Sequence, residues 1–431
     1  MRYLPINKSF FIQNRAEFCR KLKPNSIAIF LSHDIYPTNA DATFPFKQNN
    51  DLFYLSGIDQ EDTILLLFPG AIDQQHQCIL FIRETSPHIA IWEGEKLTQD
   101  QASLLSGIDT IYWEKDFETM LEVLLAQAST IYINNNEHGR AEKKIKNREE
   151  RFGEALKTKH PSHLFERSAP LMHELRVIKK QKEIDQVIKA CSITEGAFDR
   201  VLKFTKPGVF EFEIEAEVAH EFLMNRSSGP AYASIIASGK DACVLHYITN
   251  NKVCQSGDLI LMDFGAAYGN YASDMTRTIP VNGKFTARQK EVYQAVLTIL
   301  KASTALLYPG NTFENYQKEV NLMVEAQLIK IGLLNQEDVV AQDPKNPLFK
   351  KYFMHGISHF LGLDVHDVGE RTGIMKEGML LTCEPGIYIQ EEGLGIRLEN
   401  NILITSNGPL DLMSSIPIEI EDIENKMNKS K

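Results

Sequence analysis

Cysteine is scarce in this chain. Six residues (Cys19, Cys78, Cys191, Cys243, Cys254 and Cys383) are scattered over 431 positions, and none forms a CxxC pair. Such sparse thiols exclude a disulfide framework, and their dispersal excludes a thiolate zinc site. They read as buried or inert free thiols in a reducing cytoplasm. Long apolar runs are missing too. Nothing approaches the ~18 consecutive apolar residues of a membrane span, and the opening MRYLPINKSFFIQNRAEF lacks a signal peptide's continuous apolar core. Neither a membrane partner nor export is expected. Positive charge is in deficit: 46 Lys+Arg against 57 Asp+Glu leaves a formal net charge of −11, so nucleic acid is not an expected partner. No short-period repeat or low-complexity tract breaks the chain.

What is present is an ordinary globular composition, 43% hydrophobic and 24% charged, with length for two or three domains at roughly 150 residues each. In the first part, Ser26–Leu31, Thr63–Phe68, Cys78–Ile82 and Thr130–Ile133 read as buried strands, with helical segments over 98–106 and 117–127. This pattern predicts a mixed α/β domain over 1–170. The segment Phe44 to Gly57 reads by itself as a strand and a turn. Residues 138–170 are dense in charge (Lys143, Lys144, Lys146, Arg148, Glu149, Glu150, Arg151) and predict a solvated helix and connector. From Met172 one long helix is expected, with the domain boundary near 165–175. Beyond it, helices near 210–225, 286–307 and 313–332 interleave with strands at 259–262 and 379–382, which predicts an α+β domain over 171–431. The tail from Glu421 to Lys431 reads as frayed.

Chemistry enters with carboxylates in apolar surroundings. Asp263 ends Leu259-Ile-Leu-Met-Asp263, and Asp274 follows in Tyr271-Ala-Ser-Asp274. An ionised carboxylate in a buried strand costs several kcal/mol unless something positive meets it. A hairpin turning within Ala267–Asn270 puts the two aspartates opposite each other, Cβ atoms ~4.5–5.5 Å apart. Near the C-terminus the pattern repeats: a turn in Glu391-Glu-Gly393 puts Glu384 opposite Glu399. Opposed acids that close must be neutralised by protons or cations. Between the hairpins, His355, His359 and His366 fall within twelve residues. His355 and His359 are four apart as in an HExxH zincin, but Gly356 stands where that motif needs its glutamate, so a zincin is not expected. One histidine with four carboxylates is a hard donor set for Mn²⁺, Fe²⁺, Co²⁺ or Zn²⁺. Four carboxylates carry the charge of two divalent ions.

These residues, in this order, resemble the pita-bread metallopeptidases, the superfamily of methionine aminopeptidase, prolidase and aminopeptidase P. The resemblance implies five ligands: Asp263 (MDFGA), Asp274 (SDMTRT), His359 (HGISHFLG), Glu384 (TCEPGIYI) and Glu399 (IRLEN). Within the superfamily, FPFKQNNDLFYLSGI over Phe44–Ile58 and the segment Tyr232 to His246 resemble the aminopeptidase P family most, with Lys47 where that family more often has Arg. The fold implied is a C-terminal pita-bread domain behind an N-terminal domain of aminopeptidase P type. The implied function is hydrolysis of the Xaa-Pro bond at a peptide's N-terminus through a hydroxide held between two metals, with Mn²⁺ the first choice and Zn²⁺, Co²⁺ or Fe²⁺ as alternatives. Glu384 would shuttle the proton. His246 and His366 would orient substrate and stabilise the tetrahedral intermediate, while His355 and Arg397 would shape the proline pocket, Arg397 pairing a ligand carboxylate. Proline-containing peptides are the expected partners, and a homodimer or homotetramer the expected assembly. Two alternatives stay open. A prolidase would cut only Xaa-Pro dipeptides, and a non-catalytic module would keep the fold alone.

Overall fold

Apolar runs without polar alternation are the pattern of strands covered on both faces. In a computed structural model, which describes residues 2–141 and 144–428, four such runs join one six-stranded sheet. Its spatial order is Thr110–Trp113, Cys78–Ile82, Ile64–Leu67, Ser26–Leu31, Thr130–Ile133, Leu164–Arg167. Ile64–Leu67 runs antiparallel to both neighbours, and the other three pairings are parallel. Helices Phe117–Leu125 and Arg148–Lys159 bury Phe117, Leu121, Leu124 and Leu156 against Ile27, Ile29, Leu66, Ile79 and Ile131. The mixed α/β architecture is therefore as expected.

Several local expectations fail, each for a physical reason. Within Phe44–Gly57 the structure forms a helix, Asn50–Ser56. The Asn49 side chain accepts from the N–H groups of Asp51 and Leu52, and Gly57 ends the helix in the left-handed region at φ 71°. Leu164–Arg167 is a strand inside the supposed helix and connector. It lies at the sheet edge with no buried residue, so it carries no apolar signature. Lys143 of that charged run lies outside the described residues. The helix expected from Met172 is two helices, Ala169–Val177 and Gln181–Phe204. The tail is not frayed through 428: Ile420–Asn428 is helical and buries Ile423 and Met427, while residues 429–431 lie outside the described residues.

The chain divides into two compact units, Tyr3–Arg176 and Val177–Lys431. The second combines helices Gln181–Phe204, Glu211–Met224, Ala287–Ala305 and Phe313–Lys330 with small antiparallel sheets, an α+β arrangement. One sheet orders Ile235–Ser238, Leu259–Asp263, Thr276–Pro280; another orders Leu380–Cys383, Asn400–Thr405, Gly408–Asp411. Strands Gly386–Ile389 and Leu394–Arg397 form a two-stranded ribbon.

The first hairpin corrects the expected register. Its turn is Gly269-Asn270, both at positive φ (59° and 64°), joining Tyr268 to Tyr271. Asp263 accordingly pairs with Thr276, two residues beyond Asp274. A slip of two keeps every side chain on its face, whereas a slip of one would invert it, so both aspartates still reach one site. The second hairpin keeps the expected register. Cys383↔Asn400 and Gly386↔Arg397 flank it, and that frame sets Glu384 against Glu399.

Gly265 allows the first hairpin to close. A Cβ there would stand 1.8 Å from the Ser273 carbonyl oxygen, a backbone atom that cannot swing aside. Gly265→Ala is expected to destabilise the fold by about 3 kcal/mol, at the top of the range for forced overpacking, read as a lower midpoint in urea. An unchanged midpoint would mean that the hairpin is not this tight.

Candidate metal centre

Each candidate carboxylate sits where a ladder stops. Asp263 is the last residue of its strand, and Asp274 lies in the gap between Tyr271–Ala272 and Thr276–Pro280. Glu384 and Glu399 occupy the gap between the two ladders of the second hairpin. His359 lies outside regular structure but is tied to strand Leu380–Cys383: its N–H donates to Thr382 Oγ1 at 3.1 Å, and its carbonyl accepts from the Thr382 N–H at 2.9 Å. Side chains at such ladder ends converge without disturbing sheet pairing.

They meet in a buried volume. His359 Nε2 lies 3.4 Å from Asp274 Oδ2 and 3.6 Å from Glu384 Oε1. One donor atom each from Asp274, His359 and Glu399 falls within 4.8 Å of the others. The Tyr232 hydroxyl lies 2.6 Å from Asp263 Oδ1 and 2.5 Å from Asp274 Oδ1. His359 Nδ1 donates to the Phe360 carbonyl at 3.0 Å, which leaves Nε2 unprotonated in the neutral ring and aimed at the acids.

The donor count falls short of the acceptors. Tyr232 has one proton for two carboxylates, and Glu399 Oε2 accepts from Thr276 Oγ1 at 2.7 Å while its buried Oε1 has no hydrogen-bond partner among the described residues. Burial pushes the Glu399 carboxyl well above its ordinary value, and Asp274, Glu384 and Asp263 add to the rise. Burial likewise raises Asp263, with Asp274 adding and Arg397 opposing. Glu384 is pushed up to about 7 by burial and the two aspartates, against the pull of His359 and Arg397. Burial alone would lower His359, but its hydrogen bond to Asp274 and the charge of Glu384 outweigh that and raise it. Hard oxygen donors, one imidazole and an orphaned buried carboxylate oxygen are what a divalent cation site needs. The residues fit the metal that the motifs imply.

The other candidates take distinct places. Arg397, buried, donates through Nη2 to Asp263 Oδ2 at 2.6 Å and through Nη1 to Tyr388 Oη at 2.9 Å. Tyr388 Oη and His355 Nε2 are 2.8 Å apart, and His355 Nδ1 donates to the Gly356 carbonyl, so the tyrosine supplies the proton to Nε2. Burial, then Arg397, depress His355 to about 4, with His246 near enough to add to the effect. His246 and His366 are exposed, and the His366 ring meets the His359 ring edge to face at 4.4 Å between centroids. Asp367 pairs with Lys179 at 2.9 Å in full burial. Sequence reasoning gave no role to Tyr232, Thr276 or Tyr388. Tyr232 opens a segment already singled out, but nothing in its spacing points to the aspartates 31 and 42 positions on.

Comparison with known proteins agrees with this geometry. The model of metallopeptidase family M24 matches residues 185–406, and that of the aminopeptidase P N-terminal domain matches 11–132. The chain belongs to metallopeptidase family M24. Over 98% of its length, this M24 chain is 34% identical to 97% of a Xaa-Pro aminopeptidase of Haemophilus influenzae. It is 31% identical to Xaa-Pro aminopeptidase 3 of Homo sapiens, covering 92% of this chain and 80% of the human protein. A zinc-substituted aminopeptidase P of Escherichia coli in complex with product matches with a TM-score of 0.89 and 33% identity, over 99% of this chain and 100% of that one. An aminopeptidase of Pseudomonas aeruginosa matches with a TM-score of 0.90 and 30% identity, over 100% and 99%. The kinship to aminopeptidase P, the pita-bread fold and the reading as a metal-dependent aminopeptidase are borne out.

Proposed function

We propose that this M24 enzyme removes the first residue from peptides whose second residue is proline, with two divalent ions at the centre described above. One observation carries the reading: four carboxylates and an imidazole crowd a buried volume that supplies too few protons for their oxygens. The end-to-end likeness to proteins named Xaa-Pro aminopeptidases supplies the substrate class. Asp263 and Asp274 would hold one ion, His359 and Glu384 the other, with Asp274 and Glu399 shared. When bound, such ions supply Lewis acidity and lower the pKa of water to near neutrality. Mn²⁺ is our first choice for this oxygen-rich set.

The protein's own groups do the rest. Glu384 would take a proton from the attacking water on a carboxylate oxygen and deliver it to the leaving imino nitrogen of proline. His246 and His366, on the exposed side, would orient the peptide and donate to the oxygen that gains charge. His355 stays uncharged at neutral pH, its Nε2 occupied by Tyr388, and so offers the proline ring a flat, apolar wall. Arg397 would fix Asp263 through its hydrogen bond. The reading extends to a homodimer or homotetramer, on the family resemblance, and to the cytoplasm, supported by six free cysteines. No helix among the described residues is long and apolar enough to cross a membrane.

Paired hydrolysis of Ala-Pro and Ala-Pro-Ala by Mn²⁺-loaded protein tests this, with Asp263→Ala as the blank. Alanine release from the tripeptide, with the dipeptide at the level of the blank, is expected. Dipeptide cleavage alone would make the enzyme a prolidase.

A further inference from the structure

Asp274 lies in a gap between strands, yet its backbone is held on both sides. Its N–H donates to Asn401 Oδ1 at 3.1 Å, and its carbonyl accepts from Asn401 Nδ2 at 2.5 Å. Asn401 is fully buried. Its own carbonyl is committed elsewhere, accepting from the Leu412 N–H, and in the neighbouring ladder it pairs with Thr382. No main-chain rung to Asp274 is available, and the planar side-chain amide, with donor and acceptor side by side, takes its place. Two residues earlier in the same segment, the Glu399 N–H donates to the Thr276 carbonyl at 3.0 Å, and the Glu399 carboxylate accepts from Thr276 Oγ1. The Asp274–Thr276 and Glu399–Asn401 stretches are thus joined by one backbone rung and one side-chain rung.

We infer that Asn401 is a positioning residue: its amide sets the separation of the Asp274 and Glu399 carboxylates and thereby decides whether the centre can hold its second divalent ion. The inference rests on the reading of those carboxylates as metal donors. Thr276 fixes Glu399 directly; at Asp274 the Tyr232 hydroxyl holds only the carboxylate, and the neighbouring main chain is tied through the Ser273 N–H and the Met275 carbonyl, so the Asn401 amide is what holds the Asp274 peptide groups themselves. A ligand carboxylate displaced by even half an ångström loses coordination geometry. Leucine at 401 keeps the volume and removes both hydrogen bonds to Asp274, together with the acceptor of the Cys191 thiol at 3.5 Å; alanine removes these and the packing.

The test is titration of metal-free, full-length protein with Mn²⁺ alone, reading free ion by electron paramagnetic resonance far below the melting temperature. Wild type is expected to bind two ions and to show the signal of a spin-coupled pair. Asn401→Leu is expected to keep the tighter ion within threefold, to weaken the other at least tenfold and to lose the coupled signal. Asn401→Ala decides by the same readout if the leucine variant does not fold. Val320→Ala, buried in helix Phe313–Lys330, serves as a destabilised control that should titrate like wild type. Two ions bound with unchanged affinity by the Asn401 variants would overturn the inference, as would equal weakening in Val320→Ala. Failure of wild type to bind Mn²⁺ would instead overturn the metal-centre reading beneath it.

Discussion

Glu384→Gln is expected to leave a folded protein whose turnover of Ala-Pro-Ala falls roughly 10²–10⁴-fold, the range for a lost general acid–base group. Glutamine has the same shape, so the contact with Thr382 Oγ1, 3.5 Å from Glu384 Oε1 in the native protein, survives. What disappears is the ability to take up and release a proton, and one negative charge at the centre. The two losses have opposite signs in two measurements. Catalysis falls. In metal-free protein, however, the variant should melt higher than wild type, because burial and the two aspartates already disfavour the ionised Glu384. A rise in melting temperature together with a collapse in kcat separates a functional carboxylate from a structural one, whose removal would lower both. Turnover within tenfold of wild type would remove Glu384 from the mechanism.

The two hairpins show what was legible in the sequence. A carboxylate at the end of an apolar strand is an energetic anomaly, and anomalies of burial can be read from a sequence without knowing contacts. The register of the second hairpin followed from its turn residues. The first was misplaced by two because Ala267–Asn270 offers several turns, and only Gly269-Asn270, with both residues at positive φ, matches the strand twist. The error left the site intact because two residues is the period of a strand. Contacts that cross long sequence distances were not legible. Tyr232 reaches Asp274 across 42 residues, and Asn401 reaches it across 127. No periodicity encodes either: Tyr232 leads into an edge strand of the same three-stranded sheet that Asp274 flanks, and Asn401 belongs to a different sheet. The helix Asn50–Ser56 was missed for a local reason: its buried face is apolar enough to read as a strand, and the Asn49 cap that decides the matter is one residue in a run of polar ones.

Stripping the metal should make stability fall more steeply as pH rises, and restoring it should remove the part of that slope that the ligand acids contribute. In the metal-free fold Asp263, Glu384 and Glu399 have raised pKa values, as does His359. Each binds its proton more tightly folded than unfolded. Between the unfolded glutamate value of 4.5 and the folded value of about 7 for Glu384, the native state holds the extra proton, so stability is present at the acid end and lost as pH climbs. His355 opposes this between about 4 and 6.5, since its folded pKa is depressed and the unfolded chain there holds the proton. The slope is therefore clearest above 6.5. Each proton of difference is worth about 1.4 kcal/mol per pH unit, and for a unit of this size about 2–4 °C per kcal/mol makes roughly 3–5 °C per pH unit. Glu149 and Glu183 are also raised by burial, Glu183 to about 7, but neither lies among the proposed ligands. Their contribution is the same with and without metal and cancels in the difference. Saturating Mn²⁺ replaces the protons on the ligand carboxylates, so the loaded native state holds fewer protons than the unfolded chain and its stability rises through the carboxylate range before levelling. Calorimetry at pH 5, 6, 7 and 8, with EDTA and with Mn²⁺, gives both curves. Parallel curves would mean that the buried acids are neutralised by protons alone and that no cation belongs among them.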